Sequence, residues 1–447
     1  MSARYLAYKI LFDIEVNGNY SNMALNKYLN EDGLDDQDKG FVTELVYGII
    51  EKKRYLDYMI NKVSKIKVRK MQHPVKLVLR MGVYQLVYMD GVTDYAAINE
   101  SVNIMKKLDK RSASFVNAVL RNISRNLDEV KDISLNTVDK LAIYYSYENW
   151  IVENLVKEYG FERTEAILRA LSQKPNIYLR VNRTKLRPGQ SMDYLVGQII
   201  GRIIDQGLEA SRVEGLEEAI KVKGLKSIDK HPLFREGYVS VQDISSILVA
   251  KVMDPKRESR VLDLCAAPGG KSTHIGELME NTGHLISQDI FDHKIKLMNI
   301  YAKRLGLKNM EAKLGDALVL NEDYIGKFDY VLCDVPCSGM GIVRRKPEIK
   351  YKKEEEVLNL PDLQYQILEN ASSYLKEGGI LIYSTCTIFK QENTDVVDRF
   401  LNNHKDFDLD DLGPIKEFLG IGDKGLVKIL PDRYEMDGFF ICRMKKI

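Results

Sequence analysis

Two cysteines, Cys337 and Cys386, stand where a thiol could act as a nucleophile. Cys337 follows Asp334-Val335-Pro336, and Cys386 follows Ser384-Thr385, each after a short apolar run. A cysteine is partly ionised at neutral pH, and its thiolate can add to C6 of a pyrimidine ring. That addition makes C5 nucleophilic toward a methyl donor, and a base must then remove the C5 proton before the thiol can leave. Two thiols suit a reaction that needs one nucleophile and one aid to elimination.

Two charged residues accompany these thiols. Asp334 ends the apolar run before Cys337, where a carboxylate could bind the N3/N4 edge of a cytosine. Lys271 follows a glycine pair, and an ammonium group near a thiol lowers its pKa. We therefore take Cys386, Cys337, Asp334 and Lys271 as the candidate catalytic residues.

The other three cysteines predict neither disulfides nor a metal site. The chain has 5 cysteines, an odd number, and all lie in its C-terminal half. No Cys-x-x-Cys pair and no histidines at zinc-finger spacing are present. Cys333 and Cys442 are expected to be buried apolar residues, as is Cys265.

A loop rich in small residues predicts a cofactor site. It leaves an apolar run at Asp263 and enters a helical pattern, so backbone N–H groups and close backbone approach are available to a ligand. It lacks the spacing of a dinucleotide fingerprint and of a P-loop. Its candidate binding residues are Cys265, Ala266, Ala267, Pro268, Gly269, Gly270 and Lys271.

Two further carboxylates suit an adenosine. Asp289 ends the next predicted strand, where it could bind ribose hydroxyls, and Asp316 ends the one after, where it could accept from the adenine amino group. Each alone is more commonly a helix cap. Together with Asp334 and a loop that has no phosphate clamp, they predict S-adenosylmethionine, which carries an adenosine but no phosphate.

The elements that position these residues alternate between strand and helix. Buried strands are predicted at 261–264, 284–289, 310–316, 328–334 and 379–384, with helices at 271–279, 295–305 and 362–375. Such alternation is typical of a Rossmann-like, parallel α/β sheet, whose ligands bind beyond the carboxyl ends of the strands. Adjacent strand ends would bring Cys337 and Cys386 to one rim.

The rest of the chain divides in two. Residues 1–130 show helical periodicity, with Pro74 at the first turn of one helix and Asp94 as the N-cap of another. Residues 131–235 mix helical stretches with an extended segment at 177–182. The predicted domains are therefore all-α (1–130), helical linker plus small α+β subdomain (131–235) and α/β (236–447).

Bulk properties set the remaining expectations. The 447 residues carry a net charge of +2, which does not by itself identify a nucleic-acid-binding protein. No run reaches membrane-spanning length and no signal peptide is evident, so we expect a cytoplasmic protein. Lys62–Lys70 is either a solvated helix end or a phosphate-binding patch. Arg344, Arg345 and Lys346 are either a solvated loop or a grip on RNA.

The motifs together resemble the Sun/Nol family of RNA cytosine-5 methyltransferases. The resemblance implies that Cys386 is the nucleophile, that Cys337 assists product release, and that the 265–271 loop, Asp289, Asp316 and Asp334 line the cofactor site. Residues 79–86 and 115–122 are similar to the helical RNA-binding domain of NusB. Tyr434-Glu435-Met436 departs from the glycine-bearing turn of many relatives.

This combination implies a methyltransferase acting on 16S ribosomal RNA, monomeric and without a metal. Two alternatives stay open at this point: a tRNA cytosine-5 methyltransferase, and a NusB-like RNA-binding factor whose α/β domain is catalytically idle.

Overall fold

The computed structural model describes residues 2–19, 21–31, 33–225, 228–421 and 425–447. They form two compact units, one of residues 1–172 with 343–354 and the other of residues 173–342 with 355–447. No helix within the described residues is long and apolar enough to cross a membrane.

The first unit is helical throughout the residues described in it. Its helices are α1 (Ala3–Asn17), α2 (Ser21–Glu31), α3 (Asp36–Val63), α4 (His73–Tyr88), α5 (Asp94–Leu108), α6 (Ala113–Arg125), α7 (Leu127–Lys131), α8 (Val138–Tyr145), α9 (Asn149–Tyr159) and α10 (Phe161–Leu171). Glycines allow α4 to pack closely on its neighbours. A Cβ on Gly82 would lie 2.6 Å from the side chain of Leu120, and Gly48 of α3 faces the ring of Tyr84.

Of two helix starts predicted from the sequence, one is confirmed and one is wrong. Pro74 lies in the first turn of α4, as predicted. The prediction of Asp94 as an N-cap is wrong by one residue, because Thr93 has the extended backbone and its hydroxyl accepts from Ala96 N. Asp94 is instead the first residue of α5, where a carboxylate is favoured by the helix dipole.

Residues 343–354 lie within this helical unit, although they follow the Cys337 loop in sequence. The Tyr351 hydroxyl donates to Ile50 O at 2.6 Å, and the Trp150 indole donates to Lys352 O at 2.9 Å. Lys350 is fully buried and donates to Tyr145 O at 3.1 Å. The segment that includes Arg344–Lys346 is thus anchored by packing of its later residues.

The second unit begins with a small antiparallel sheet of order β2-β3-β1-β4. A helix packs on it and buries an apolar core that includes Leu179, Leu195 and Ile220. The α+β character predicted for this part of the chain is confirmed. The elements are β1 (Ile177–Val181), α11 (Met192–Ile204), β2 (Glu209–Val213), β3 (Leu216–Lys223), α12 (Pro232–Arg235) and β4 (Val239–Val241).

The larger sheet of this unit is the predicted parallel α/β sheet with antiparallel strands at one side. Its order is β10-β12-β9-β8-β5-β6-β7, with β11 paired to β12. The elements are α13 (Ile244–Met253), β5 (Arg260–Asp263), α14 (Gly270–Leu278), β6 (His284–Asp289), α15 (Asp292–Leu305), β7 (Met310–Leu314), β8 (Phe328–Asp334), α16 (Leu360–Tyr374), β9 (Leu375–Thr385), α17 (Thr394–Asn403), β10 (Phe407–Leu409), α18 (Ile415–Leu419), β11 (Leu426–Ile429) and β12 (Phe439–Lys446).

The strand order reverses between β5 and β8, which are parallel neighbours. The crevice outside such a reversal is where open α/β sheets bind ligands. The loops after β5, β8 and β9 all open at this edge. Four predicted boundaries differ by two residues or more here: β7 ends at Leu314, before Asp316, and β9 begins at Leu375, before the predicted 379. The helix α15 begins at Asp292, before the predicted 295, and α16 begins at Leu360, before the predicted 362.

Candidate active site

The two candidate thiols lie together at the ends of adjacent strands. Asp334 of β8 is paired with Ser384 of β9, so the turns that follow them leave the sheet side by side. The Cys337 and Cys386 sulfur atoms are 3.2 Å apart, and both residues are partly exposed. The structure therefore brings together the two cysteines that the sequence singled out.

A charged pair lies beside these thiols. Lys271 Nζ is 2.7 Å from Asp334 Oδ2, and the Ser384 hydroxyl donates to Asp334 Oδ1 at 2.8 Å. Burial disfavours the ammonium form of Lys271, but Asp334 and Cys386 more than offset burial and raise its pKa above the ordinary value. Lys271 therefore stays positively charged next to Cys386.

The three other cysteines are unsuited to nucleophilic attack. Burial is the largest cause that raises the pKa of the thiols of Cys265, Cys333 and Cys442. Cys333 and Cys442 are buried, as predicted, but the prediction that Cys265 is buried is wrong, because Cys265 is partly exposed in the candidate cofactor loop.

The candidate cofactor loop runs from β5 into α14. Gly269 has φ +100°, a conformation that side-chain-bearing residues rarely adopt, and a Cβ there would lie 3.2 Å from Met298. Ala266 N donates to Gln288 O at 2.8 Å, which ties the loop to β6. Lys271 lies in the first turn of α14. The glycine is thus required by the backbone path itself.

Asp263, immediately before this loop, has an unusual environment. It is fully buried, and the Ser272 hydroxyl donates to its Oδ2 at 2.6 Å. Its Oδ1 has no hydrogen-bond partner within the described part of the chain. Burial is the main cause that raises the pKa of this carboxyl to about 7. An unpaired buried oxygen below a ligand loop is the feature expected where a ligand supplies the missing donor.

Neither Asp289 nor Asp316 is the helix cap that was the alternative expectation, because α15 begins after Phe291 and no helix of the described chain follows Asp316 directly. Each instead accepts a hydrogen bond from the backbone two residues further on. Asp289 Oδ1 accepts from Phe291 N at 3.1 Å and lies 3.5 Å from Lys294 Nζ. Asp316 Oδ1 accepts from Leu318 N at 2.9 Å. Asp289 ends β6 and Asp316 follows β7, both at the ligand-binding edge, so a structural turn and a role toward an adenosine are compatible.

Sequence reasoning missed a buried pair behind the thiols. Glu392 Oε2 accepts from Ser338 N at 2.8 Å, and Asn393 Nδ2 donates to Thr387 O at 3.0 Å. Glu392 and Asn393 are each 1% exposed. Their position after Cys386 has no periodicity or motif that the sequence analysis used, and only the fold brings them back beneath the site.

A second missed residue is Arg180 of β1. Its side chain is fully buried and donates to Gly270 O at 2.8 Å, within the cofactor loop. Its other nitrogen atoms bind the carboxylate of Glu277 at 2.8 and 3.1 Å and the Thr273 hydroxyl at 3.1 Å. A residue of the small sheet therefore supports the loop and first turns of α14.

Two groups of basic residues in the helical unit are relevant to binding an anionic partner. In the Lys62–Lys70 cluster, Lys62 Nζ donates to Glu129 O and Asp132 O at 2.8 and 2.7 Å, and so stabilises the end of α7. The other group lines a groove of about 630 Å³ between α5 and α6. Its lining contains no acidic residue within the described chain and includes Tyr95, Lys106, Lys110, Arg121 and Arg125.

Comparisons with known proteins point to the same family in every part of the chain. The family model of the 16S rRNA methyltransferases RsmB/F matches residues 250–445, that of the NusB family residues 1–125, and that of the RsmF/B-like ferredoxin-like domain residues 147–229. The probable ribosomal RNA small subunit methyltransferase B of Bacillus subtilis (strain 168) is 40% identical over 457 residues, covering 100% of this chain and 99% of its own.

Solved structures share the fold. The crystal structure of PH0851 has a TM-score of 0.79 at 26% identity and covers 100% of this chain and 98% of its own. That of NSun6 from Pyrococcus horikoshii with SFG has a TM-score of 0.58 at 22% identity, covering 66% and 97%. The predicted NusB-like and Rossmann-like domains are confirmed, and the chain belongs to the RsmB/F family of 16S rRNA methyltransferases.

Proposed function

We propose that this protein methylates carbon 5 of a cytosine in 16S ribosomal RNA, with S-adenosylmethionine as donor and Cys386 as covalent nucleophile. The observation that carries the proposal is the pair of thiols 3.2 Å apart, with the Lys271–Asp334 ion pair beside them. Methylation of an exocyclic amine needs no thiol, because the nitrogen has its own lone pair. Two thiols at the ligand-binding edge suit the harder reaction at carbon 5.

The residues of the loop fit the proposed donor. Asp263 Oδ1 is a buried acceptor in need of a donor, and the methionine ammonium group of S-adenosylmethionine is one. Asp289 would bind the ribose, Asp316 the adenine, and Cys265–Lys271 the remainder. When bound, this group supplies an electrophilic methyl. The loop contains no phosphate clamp, in agreement with a ligand that has no phosphate.

Lys271 and Asp334 prepare the first step. The Lys271 ammonium stabilises the Cys386 thiolate, whose sulfur attacks C6 of the cytosine while the C5=C6 electron pair moves to C5. Asp334, held by Lys271 and Ser384, is placed to bind the N3/N4 edge of the base. C5 would then take the methyl group, leaving the donor as S-adenosylhomocysteine, and would still carry its hydrogen.

Cys337 serves the second step. Its pKa is raised above the ordinary value first by its hydrogen bond to Cys386 and then by burial. Once the Cys386 sulfur is bonded to C6, it can no longer donate a hydrogen bond to Cys337, whose sulfur is then available to act at C5. The Cys337 thiol releases its proton to solvent, the resulting thiolate takes the C5 proton, the electron pair of the C5–H bond re-forms the C5=C6 bond, and the Cys386 thiolate leaves.

The helical unit would hold the RNA through the groove between α5 and α6. Lys106, Lys110, Arg121 and Arg125 are exposed, and no carboxylate within the described chain lies in ion-pair distance of them. Tyr95 at the same groove is 76% exposed and offers a stacking surface for a base. Lys62, by contrast, already binds carbonyl groups, which favours the groove over the Lys62–Lys70 cluster.

The three domains are proposed as 1–130, 131–235 and 236–447. A tRNA substrate and a catalytically idle RNA-binding factor are the alternatives. Transfer of radiolabelled methyl from S-adenosylmethionine to 16S rRNA, but not to tRNA, by the purified protein would support the proposal. Bisulfite sequencing of total RNA from a strain lacking the protein should show one 16S cytosine losing its protection. Methyl transfer to tRNA alone, or to no RNA, would contradict it.

A further inference from the structure

We propose that Glu392 and Asn393 are positioning residues that hold the two thiol-bearing turns at their working separation, one residue for each turn. The inference rests on the proposed roles of Cys337 and Cys386. Neither residue faces the substrate, since each is 1% exposed.

Glu392 holds the turn of Cys337. Its Oε2 accepts from Ser338 N, the amide next to Cys337, at 2.8 Å, and from Gln364 Nε2 at 3.0 Å. The same Gln364 nitrogen donates to Pro336 O at 2.9 Å, on the other side of Cys337. The backbone on both sides of this cysteine is therefore fixed through one carboxylate and the amide bound to it.

Asn393 holds the turn of Cys386. The Thr385 hydroxyl donates to Asn393 Oδ1 at 2.5 Å, and Asn393 Nδ2 donates to Thr387 O at 3.0 Å. The two partners are the residues immediately before and after Cys386. One amide side chain thus binds both neighbours of the proposed nucleophile.

The hydrogen bonds of Glu392 and those of Asn393 form one rigid connection between the two turns, because the two residues are consecutive in the chain. The Tyr383 hydroxyl of β9 donates to Glu392 O at 2.6 Å, which fixes their backbone to the sheet. A hydrogen bond of 2.8 Å between the Ser338 and Thr387 hydroxyls also links the two turns directly. The 3.2 Å sulfur–sulfur distance is therefore set from beneath the site.

Loss of each residue should impair a different step. Without the Glu392 carboxylate, the Cys337 turn loosens, addition and methylation still occur, and elimination slows. Without the Asn393 amide, the Cys386 turn loosens and the first addition slows. A misplacement of about 1 Å costs on the order of 100-fold in rate, so a loss of about that size in methyl transfer is expected for both.

The test compares Glu392→Ala and Asn393→Ala in the full-length protein with 16S rRNA and S-adenosylmethionine. Rates of methyl transfer are measured, and denaturing gels reveal protein covalently joined to RNA. We expect a covalent band with Glu392→Ala and none with Asn393→Ala, while calorimetric binding of S-adenosylhomocysteine changes less than about twofold. Glu377→Ala and Asn402→Ala, at exposed positions, are matched controls that should retain the wild-type rate.

Conservative variants separate positioning from folding. Glu392→Gln keeps an oxygen for Ser338 N and should recover much of the rate lost in Glu392→Ala. Asn393→Asp keeps an acceptor for the Thr385 hydroxyl but lacks the donor to Thr387 O, and should recover only part. If alanine at either position prevents folding, as judged by circular dichroism, these two variants decide the matter through the same gel.

Wild-type rates in both alanine variants, or the same gel pattern in both, would overturn the proposal. Failure of the proposed function looks different. It would appear as methyl transfer that persists in Cys386→Ala, whatever residues 392 and 393 do.

Discussion

Replacement of Arg180 by methionine should destabilise the second unit and weaken its binding of the methyl donor. The substitution leaves the buried carboxylate of Glu277 without its guanidinium partner and frees Gly270 O in the cofactor loop. Removal of one partner of a buried ion pair costs about 3–5 kcal/mol, because the remaining charge stays desolvated. The control is Arg187→Met, which replaces an exposed arginine and should cost under about 0.5 kcal/mol.

The pH dependence of this loss distinguishes an unpaired charge from simple loss of packing. Burial already raises the pKa of Glu277, and Arg180 opposes that rise. In Arg180→Met the folded-state pKa of Glu277 therefore rises further above its unfolded value. A raised carboxyl pKa contributes stability at low pH that is lost as pH rises through the folded-state pKa. The variant should thus lose less stability at pH 5.5 than at pH 8.

Native-state hydrogen exchange of peptides from β1 and α14 measures the local free energy of opening, and calorimetry with S-adenosylhomocysteine measures donor binding. A second substitution, Glu277→Leu, should restore part of the stability by removing the unpaired charge. A loss of unfolding free energy below about 1 kcal/mol would refute the reasoning, because an average point mutation already costs about that much. An equal loss at both pH values would refute it as well.

Three other predictions address the donor, the RNA and the helical unit. Asp289→Ala should weaken S-adenosylmethionine binding by about 1–3 kcal/mol, and unchanged affinity in calorimetry would remove its role toward the ribose. The double variant Lys106→Glu/Arg121→Glu should weaken RNA binding and reduce its salt dependence, whereas the control Lys65→Glu should do neither. If Lys65→Glu weakens RNA binding as much as the double variant does, the Lys62–Lys70 cluster is favoured over the groove. Burial lowers the pKa of Lys350 to about 7, so the unfolded chain binds the extra proton above that pH. The fluorescence of Trp150, the single tryptophan, reports unfolding, and the free energy of unfolding should rise by about 1 kcal/mol per pH unit between pH 7 and 10. Lys350→Met should abolish this rise. A rise that persists in Lys350→Met would show that Lys350 is not its source.

Point substitutions suit the helical unit better than its deletion. Residues 343–354 pack within that unit, with Tyr351 bound to Ile50 O. Removal of residues 1–130 would therefore expose Lys350 and its neighbours and disturb a segment that follows the Cys337 loop. A role of Arg344, Arg345 and Lys346 in gripping RNA stays a prediction.

The sequence predicted the parts of the site that depend on local pattern. Alternating strands and helices imply strand ends at one edge, and this places Cys337, Cys386 and the loop of Lys271 together without any knowledge of packing. Polar side chains at strand ends are visible in the sequence because they interrupt apolar runs. Most errors concerned boundaries, as at Asp94, where the neighbouring Thr93 takes the capping position, and at Asp316, which lies two residues beyond the end of β7.

The sequence did not predict the residues that act through tertiary packing. Arg180 lies in an extended segment that carries no recognisable motif, and its partner Glu277 is far along the chain. Glu392 and Asn393 follow the site in a short irregular stretch that looks like an ordinary polar loop. They are buried because the chain returns beneath β9 after the site, and the hydrophobic periodicity of the sequence does not reveal such a return.

The denaturing gel of the two cysteine variants with RNA and S-adenosylmethionine tests the central claim most directly. Cys386→Ala should transfer no methyl and form no covalent complex, since no thiolate remains to add to C6. Cys337→Ala should methylate the RNA and then remain joined to it, giving a slow-moving band that the double variant lacks. The reverse pattern would exchange the two roles, and the absence of a band with Cys337→Ala would contradict its role in product release.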